Sequence, residues 1–190
     1  MRCLTCEKPS FQIICKKCQS TLLAPHFHKK ELVKDFFVYS FYDYEEIEKL
    51  IFSKYHFHGD RVFNILAKLS FAKFAQSFDY PHLVLALPID DHTRHDFSQT
   101  AILAKHLKTE NITPVYNTLK ASNVVKYAGK DLEFRQKNPR KFIYTGSTHQ
   151  TAILVDDLMT TGTTILEAKK VLKKANIEVL FALTLCSVHH

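Results

Sequence analysis

Four apolar residues, Ala152 to Val155, run directly into two carboxylates, Asp156 and Asp157, and then into Leu158-Met159-Thr160-Thr161-Gly162-Thr163-Thr164. A short apolar run without alternation reads as a strand buried on both faces. Such strands belong to mostly parallel sheets with helices above and below, because a sheet with one wet face betrays it by alternating polar residues. The Thr/Gly turn that follows leads into residues 162–175, a predicted helix with lysines in its last turns, where the helix dipole favours them.

The rest of the chain keeps the same alternation. Phe37 to Tyr42 is aromatic and β-branched and reads as a strand. Glu45 to Tyr55 reads as a helix; a second one, capped by Asp60, carries Phe63, Leu66, Ala67, Phe71 and Phe74 at helical spacing. There follow a strand from His82 to Leu87 ended by Pro88, a helix from Phe97 to Leu107 and a strand from Thr113 to Leu119. Residues 120–141 are polar and aperiodic, Phe142 to Tyr144 is a short strand, and Glu178 to Cys186 is a closing one. The expected fold is α/β, a mostly parallel sheet covered by helices on both faces. Ligands of such sheets sit beyond the carboxyl ends of the strands, which is where Asp156 and Asp157 fall.

Four of the five cysteines lie in the first 18 residues, as Cys3-x-x-Cys6 and Cys15-x-x-Cys18. Each pair turns two sulfurs toward one point, and two pairs complete a closed tetrahedron around a structural zinc ion. An iron–sulfur cluster or a redox pair fits less well, since a redox CxxC occurs once and beside a βαβ pattern. Residues 1–20 are too few for an apolar core of their own, so they form a small zinc ribbon. Residues 21–35, with Pro25, read as a basic linker or short helix, and residues 36–190 as the main domain. Cys186, in an apolar strand, reads as inert core. Neither a leader-like apolar stretch near Met1 nor a run of membrane-spanning length occurs, so a cytoplasmic protein without a membrane span is expected.

The net charge of +7 is unevenly spread. Residues 1–30 carry six Lys and Arg against Glu7 alone, and residues 117–141 carry seven against Asp131 and Glu133. Two such clusters fit a polyanion, and equally the solvated surface around a phosphorylated small molecule.

At the Asp156-Asp157 turn the chemistry is divided. Carboxylates repel phosphate but accept from hydroxyls or hold Mg²⁺. Backbone N–H groups and Thr hydroxyls at a helix start suit a phosphate, and Gly162 lets the backbone approach it. A diol and a phosphate a few residues apart describe ribose 5-phosphate. The magnesium strand of a P-loop NTPase looks similar, but none of Gly59, Gly129, Gly146 and Gly162 starts the required GxxxxGK[ST].

This segment resembles the phosphoribosyl-diphosphate (PRPP) motif of type I phosphoribosyltransferases. With a four-cysteine module in front, the chain is similar to the ComF family of competence proteins, which act in natural transformation. Lys54 followed by Gly59-Asp60 resembles that family's K-x-x-G-D stretch. Pro88 with Phe97-x-Gln99 resembles its P…RGFNQ region, and Arg135-x-x-Asn138 its R-x-x-N. His95-Asp96-Phe97-Ser98-Gln99 departs from Arg-Gly-Phe-Asn-Gln, and Asp90, Asp91 and Asp96 make this loop acidic for a pyrophosphate, with Arg94 or Mg²⁺ to offset them.

The resemblance implies a phosphoribosyltransferase-like fold behind the zinc module, and PRPP with Mg²⁺ held by Asp156, Asp157, Met159, Thr160, Thr161, Gly162, Thr163 and Thr164. Asp156 and Asp157 would also be the catalytic pair of any transfer reaction. It implies natural transformation (DNA uptake) as the process and a competence helicase as a partner. Single-stranded DNA would be met by Lys16, Lys17, Lys126 and Lys130, with aromatics such as Tyr39, Tyr42, Tyr44, Tyr55 or Phe57 stacking on bases. The alternatives are a phosphoribosyltransferase with an unidentified acceptor, and a PRPP-responsive scaffold without chemistry.

Overall fold

The computed structural model describes residues 1–89, 97–122 and 140–188. Six strands form the main sheet in the order β1-β2-β8-β7-β3-β4: β1 (His28–Val33), β2 (Phe36–Asp43), β3 (Val84–Pro88), β4 (Ile112–Pro114), β7 (Thr151–Met159) and β8 (Glu178–Ser187). All neighbours are parallel except β1, which pairs antiparallel with β2 at the edge. The sheet is therefore the mostly parallel one that the apolar runs predict. A separate two-stranded sheet joins β5 (Leu119–Ala121) to β6 (Phe142–Tyr144).

Helices cover both faces, unevenly. On one face Ile153, Val155, Leu183 and Leu185 meet α2 (Tyr44–Ile51), α3 (Gly59–Leu69), α4 (Phe71–Ser77) and α5 (Gln99–Lys105), together with a 3-10 turn over Phe52–Tyr55. On the other, Ala152, Leu154 and Ala182 meet α6 (Thr163–Lys174) and the β5–β6 pair. The buried core of β7 and β8 is mostly apolar, as double coverage requires, with Asp157, Thr184 and Ser187 the polar residues buried near their carboxyl ends.

Several boundaries differ from the sequence reading. His28 to Val33, taken as linker, is a strand whose backbone finds partners in β2. Its largely exposed, charged residues hide the signal, as is common on an edge strand. Asp60 sits in the first turn of α3 rather than capping it; His58 holds the cap position. The single helix expected from Phe63 to Phe74 breaks at Ser70, whose hydroxyl bonds back to the carbonyl of Leu66. The strand expected from Thr113 to Leu119 is two short strands in different sheets, β4 and β5. Most of the 120–141 stretch lies outside the described residues.

The cysteine module is not detached. Its backbone folds back through the Arg2–Pro9 bridge, and the second cysteine pair enters α1 (Lys16–Thr21). Cys3, Ile14, Cys18 and Leu23 are buried in the same cluster as Phe41, Val62 and Phe63. Tyr42 Oη donates to the carbonyl of Leu23 (3.1 Å), pinning the end of the module to β2. Gly59 is needed at the start of α3, where a Cβ would stand 2.6 Å from Phe97 Cζ and overlap the carbonyl of Ser53. That close approach seats Phe97 against the helical layer.

Candidate functional site

The topology marks one crevice. From β3 the chain crosses through α5 to β4 on one side, whereas from β7 it crosses through α6 to β8 on the other, over the opposite face. The strand order thus reverses between β3 and β7, and in sheets of this kind such a reversal marks the crevice at the carboxyl ends of the strands. The last rung between the two is Pro88 with Val155, followed by the Ile89 amide on the Val155 carbonyl (2.8 Å). Among the described residues β7 then continues paired with β8 alone, through Asp156–Thr184 to Met159–Ser187. The two acids therefore lie inside a strand that overhangs its neighbour, not in a loop after it.

Because neighbouring residues of a strand point to opposite faces, the acids part company. Asp157 turns to the helical layer of α2 to α5 and is buried; its Oδ2 accepts from Lys54 Nζ at 2.9 Å. Burial opposes both charges, but the pairing outweighs it, so Asp157 stays below the usual carboxylate range and the Lys54 ammonium is raised. Asp156, half-buried, lies on the α6 face beside Thr184, and its Oδ1 takes the Asp157 amide at 2.8 Å. Burial, then repulsion from Asp157, pushes its carboxyl well above the usual range, with Arg140 and Lys54 acting against them. The Arg140 amide is tied to Glu167 of α6 (3.0 Å).

The turn after β7 takes the shape that its sequence requires. Gly162 caps α6 with φ 76°, a left-handed conformation open to glycine at no steric cost. A Cβ there would also stand 2.5 Å from Leu32 Cδ1, so the edge strand β1 closes over the turn. Thr161 is exposed and its hydroxyl meets that of Thr163 at 2.9 Å. Thr160, Thr163 and Thr164 are half-buried around it. Met159 is buried with the core beneath α6, and its carbonyl accepts from the Val188 amide, leaving no side-chain surface for a ligand.

The sulfurs of Cys3, Cys6, Cys15 and Cys18 all lie within 4.8 Å of one another, and Cys6 and Cys15 are 3.8 Å apart. Four ligands at a zinc–sulfur bond of about 2.3 Å have edges of about 3.8 Å, so the cluster has the dimensions of a closed structural metal site. Backbone N–H groups point at the sulfurs, Cys15 to Cys3 at 3.3 Å and Cys18 to Cys15 at 3.5 Å. Burial alone would raise Cys3, but hydrogen bonds from the amides of Cys15, Cys6 and Thr5 hold it down at about 6, while Cys18 is pushed up by burial and by the sulfurs around it. Four thiolates this close need a cation to coexist. Cys186 is buried on the inner face, its thiol raised by burial and by Asp157.

Of the residues expected to meet DNA, Lys16 and Lys17 are exposed on α1, and Lys126 and Lys130 lie outside the described residues. Arg135, Asn138 and the Asp90, Asp91, Arg94, His95 and Asp96 loop also lie outside them. Tyr55 and Phe57 are exposed, but Tyr42 is core, and Tyr39 is half-buried, stacked on Phe27. Lys54 is the site residue to which sequence reasoning gave no role. The available signal was a lysine inside an otherwise apolar and aromatic stretch, Leu50 to Tyr55.

No protein-family model and no curated protein matches the chain. Among solved structures it is similar to a hypoxanthine phosphoribosyltransferase from Staphylococcus aureus, with 15% identity, a TM-score of 0.39, and coverage of 66% of this chain and 62% of that one. It is similar also to an adenine phosphoribosyltransferase, with 15% identity, a TM-score of 0.36 and coverage of 88% and 89%. The chain thus spans about three fifths of the first and most of the second.

Lys54→Met should cost about 3–5 kcal/mol near neutrality, because it leaves the Asp157 carboxylate buried without a partner. The depressed Asp157 contributes fully above about pH 4, and this is lost as pH falls through its folded value. The raised Lys54 contributes fully below about pH 10, and this is lost as pH climbs through its folded value. Chemical denaturation across pH should therefore show the gap between wild type and variant narrowing at both extremes.

Proposed function

We propose that this is a PRPP-binding protein of natural transformation that also contacts single-stranded DNA. The observation that carries the PRPP reading is the overhang of β7 at the switch point, which leads from Asp156 and Asp157 straight into the Gly162 turn and α6. In this reading Asp156 accepts from the ribose hydroxyls and Asp157, braced by Lys54, supports it or Mg²⁺. Thr160 to Thr164 and the amides of the turn receive the 5-phosphate. The competence role rests on the sequence resemblance to ComF proteins, as does a helicase partner. A transferase reaction on an unidentified acceptor is the second reading, favoured by the same two carboxylates, which in it form the catalytic pair. Labelled PRPP with an acceptor panel separates the two.

Calorimetry with PRPP and Mg²⁺ tests the site. Asp156→Ala should weaken binding by about ten- to a hundredfold, the loss of a charged hydrogen bond, without unfolding the protein. It is cleaner than Asp157→Ala, which also strands Lys54. Equal affinity in Asp156→Ala and wild type would overturn the PRPP assignment.

The ion at the four cysteines is, in this reading, zinc, whose tetrahedral thiolate chemistry suits the closed sulfur cluster. Purified protein should carry about one zinc per chain, and Cys15→Ser should lose it and loosen residues 1–20 while the sheet stays folded. Metal analysis finding another ion, or none, would refute it.

DNA contact is proposed for the basic segment at Lys16 and Lys17, with Lys126 and Lys130. Affinity for an oligothymidine should fall by about 0.7 log units per log unit of salt for each phosphate contacted. Reversing the four lysines to Glu should abolish that binding and spare PRPP. A flat salt dependence would reduce the clusters to solvated surface.

A further inference from the structure

A groove of about 620 Å³ lies away from the switch-point crevice, where the cysteine module meets the outer face of α3. Ile13 from the module and Ile65 and Leu69 from α3 give it an apolar lining; Arg61, Lys68 and Lys73 bring cations to it. Among the described residues no carboxylate lines it. Phe11, between the two cysteine pairs, also lines the groove and is fully exposed. That segment is fixed by the fold: the Leu4 amide bonds to the Ile13 carbonyl at 2.9 Å, and Gln19 Nε2 to the Ile14 carbonyl at 2.6 Å.

The spacing of these groups is that of a helix surface. Arg61, Ile65, Lys68 and Leu69 fall at i, i+4, i+7 and i+8, one stripe of α3 that is turned away from the sheet. Arg61 and Lys68 are two turns apart, about 10 Å at 1.5 Å per residue. The inner stripe, Val62, Phe63, Leu66 and Ala67, is spent on the core; of the outer stripe, Ile65 and Leu69 pack partly against that core and keep surface on the groove, while Arg61 and Lys68 are exposed. Cations alternating with aliphatic side chains complement a helix that carries acids two turns apart with apolar residues between them.

We propose that this groove docks an acidic, amphipathic helical segment of a partner protein, with its carboxylates on Arg61, Lys68 and Lys73 and its apolar face on Ile13, Ile65 and Leu69. A nucleic acid is the poorer occupant, because aliphatic side chains separate the cations and, among the described residues, Phe11 and His106 bring the only rings to the groove, short of a continuous stacking platform. The site is independent of the PRPP reading and shares none of its residues. It depends on the module, since one wall is built by the segment between the two cysteine pairs.

The test is selection of a randomised phage-displayed peptide library on the metal-loaded, full-length protein. Enriched sequences should combine Asp or Glu with Leu, Ile or Phe at helical spacing. Synthetic copies should bind Lys68→Glu/Lys73→Glu about tenfold more weakly or worse, and Phe11→Ser several-fold more weakly. All three side chains are exposed, so unchanged circular dichroism and metal content will show that the variants are folded. Nonspecific attraction to a basic protein would ignore Phe11→Ser. Enrichment of neutral or basic peptides, or undiminished binding to the double variant, would overturn the proposal. So would loss of oligothymidine binding in the double variant without acidic enrichment, which would make the groove a nucleic-acid surface.

Discussion

A carboxylate held inside a packed layer must be neutralised or protonated, and Lys54 settles this for Asp157. Their 2.9 Å pair bridges the helical layer and the centre of the sheet. Both charges are largely withdrawn from water, so neither can leave without stranding the other. The pair fixes the 3-10 turn after α2, and with it the direction in which the chain enters α3 at Gly59. It also makes the two adjacent acids inequivalent. Asp157 is held charged by its partner, whereas Asp156, repelled by that charge and half-buried, is the carboxyl that a ligand hydroxyl, a cation or a proton would relieve.

The sheet around this pair explains why Asp156 keeps an exposed edge. Among the described residues β7 is longer than β3, so its last residues pair with β8 and not with β3. The crossovers from β3 and β7 run over opposite faces of the sheet. The turn at Gly162 closes the far side of the crevice under Leu32 of β1. Edge strand, overhang and left-handed glycine are thus parts of one arrangement, and none has a meaning alone.

At the other end, the cysteine module solves a small segment's problem in two ways. A metal ion would supply the free energy that so few apolar side chains cannot. What apolar surface there is, Ile14 and Leu23, goes into the main core instead of a separate one. A consequence is the groove against α3: because the module is anchored by its inner residues, its outer ones and the outer stripe of α3 face each other across open space.

Much of this was written in the sequence. Local pattern sufficed for the buried strands, since coverage on both faces leaves continuous apolar runs at Ala152–Val155 and Val179–Leu183. It sufficed also for the metal-sized sulfur cluster, because CxxC loops fix sulfur geometry within a few residues. It failed where a segment carries no apolar pattern of its own, or where its partner is distant in the chain. β1 was missed because an edge strand is charged and only its pairing with β2 declares it. Tyr42 and Met159 looked like surface or ligand groups until packing buried them. The role of Lys54 depends on Asp157, more than a hundred residues away, and only the tertiary structure brings the two together. The sequence alone determined that two carboxylates precede a glycine turn. The topology decided that they sit at a strand-order reversal, and a long-range ion pair decided that Asp157 is the one held charged and buried.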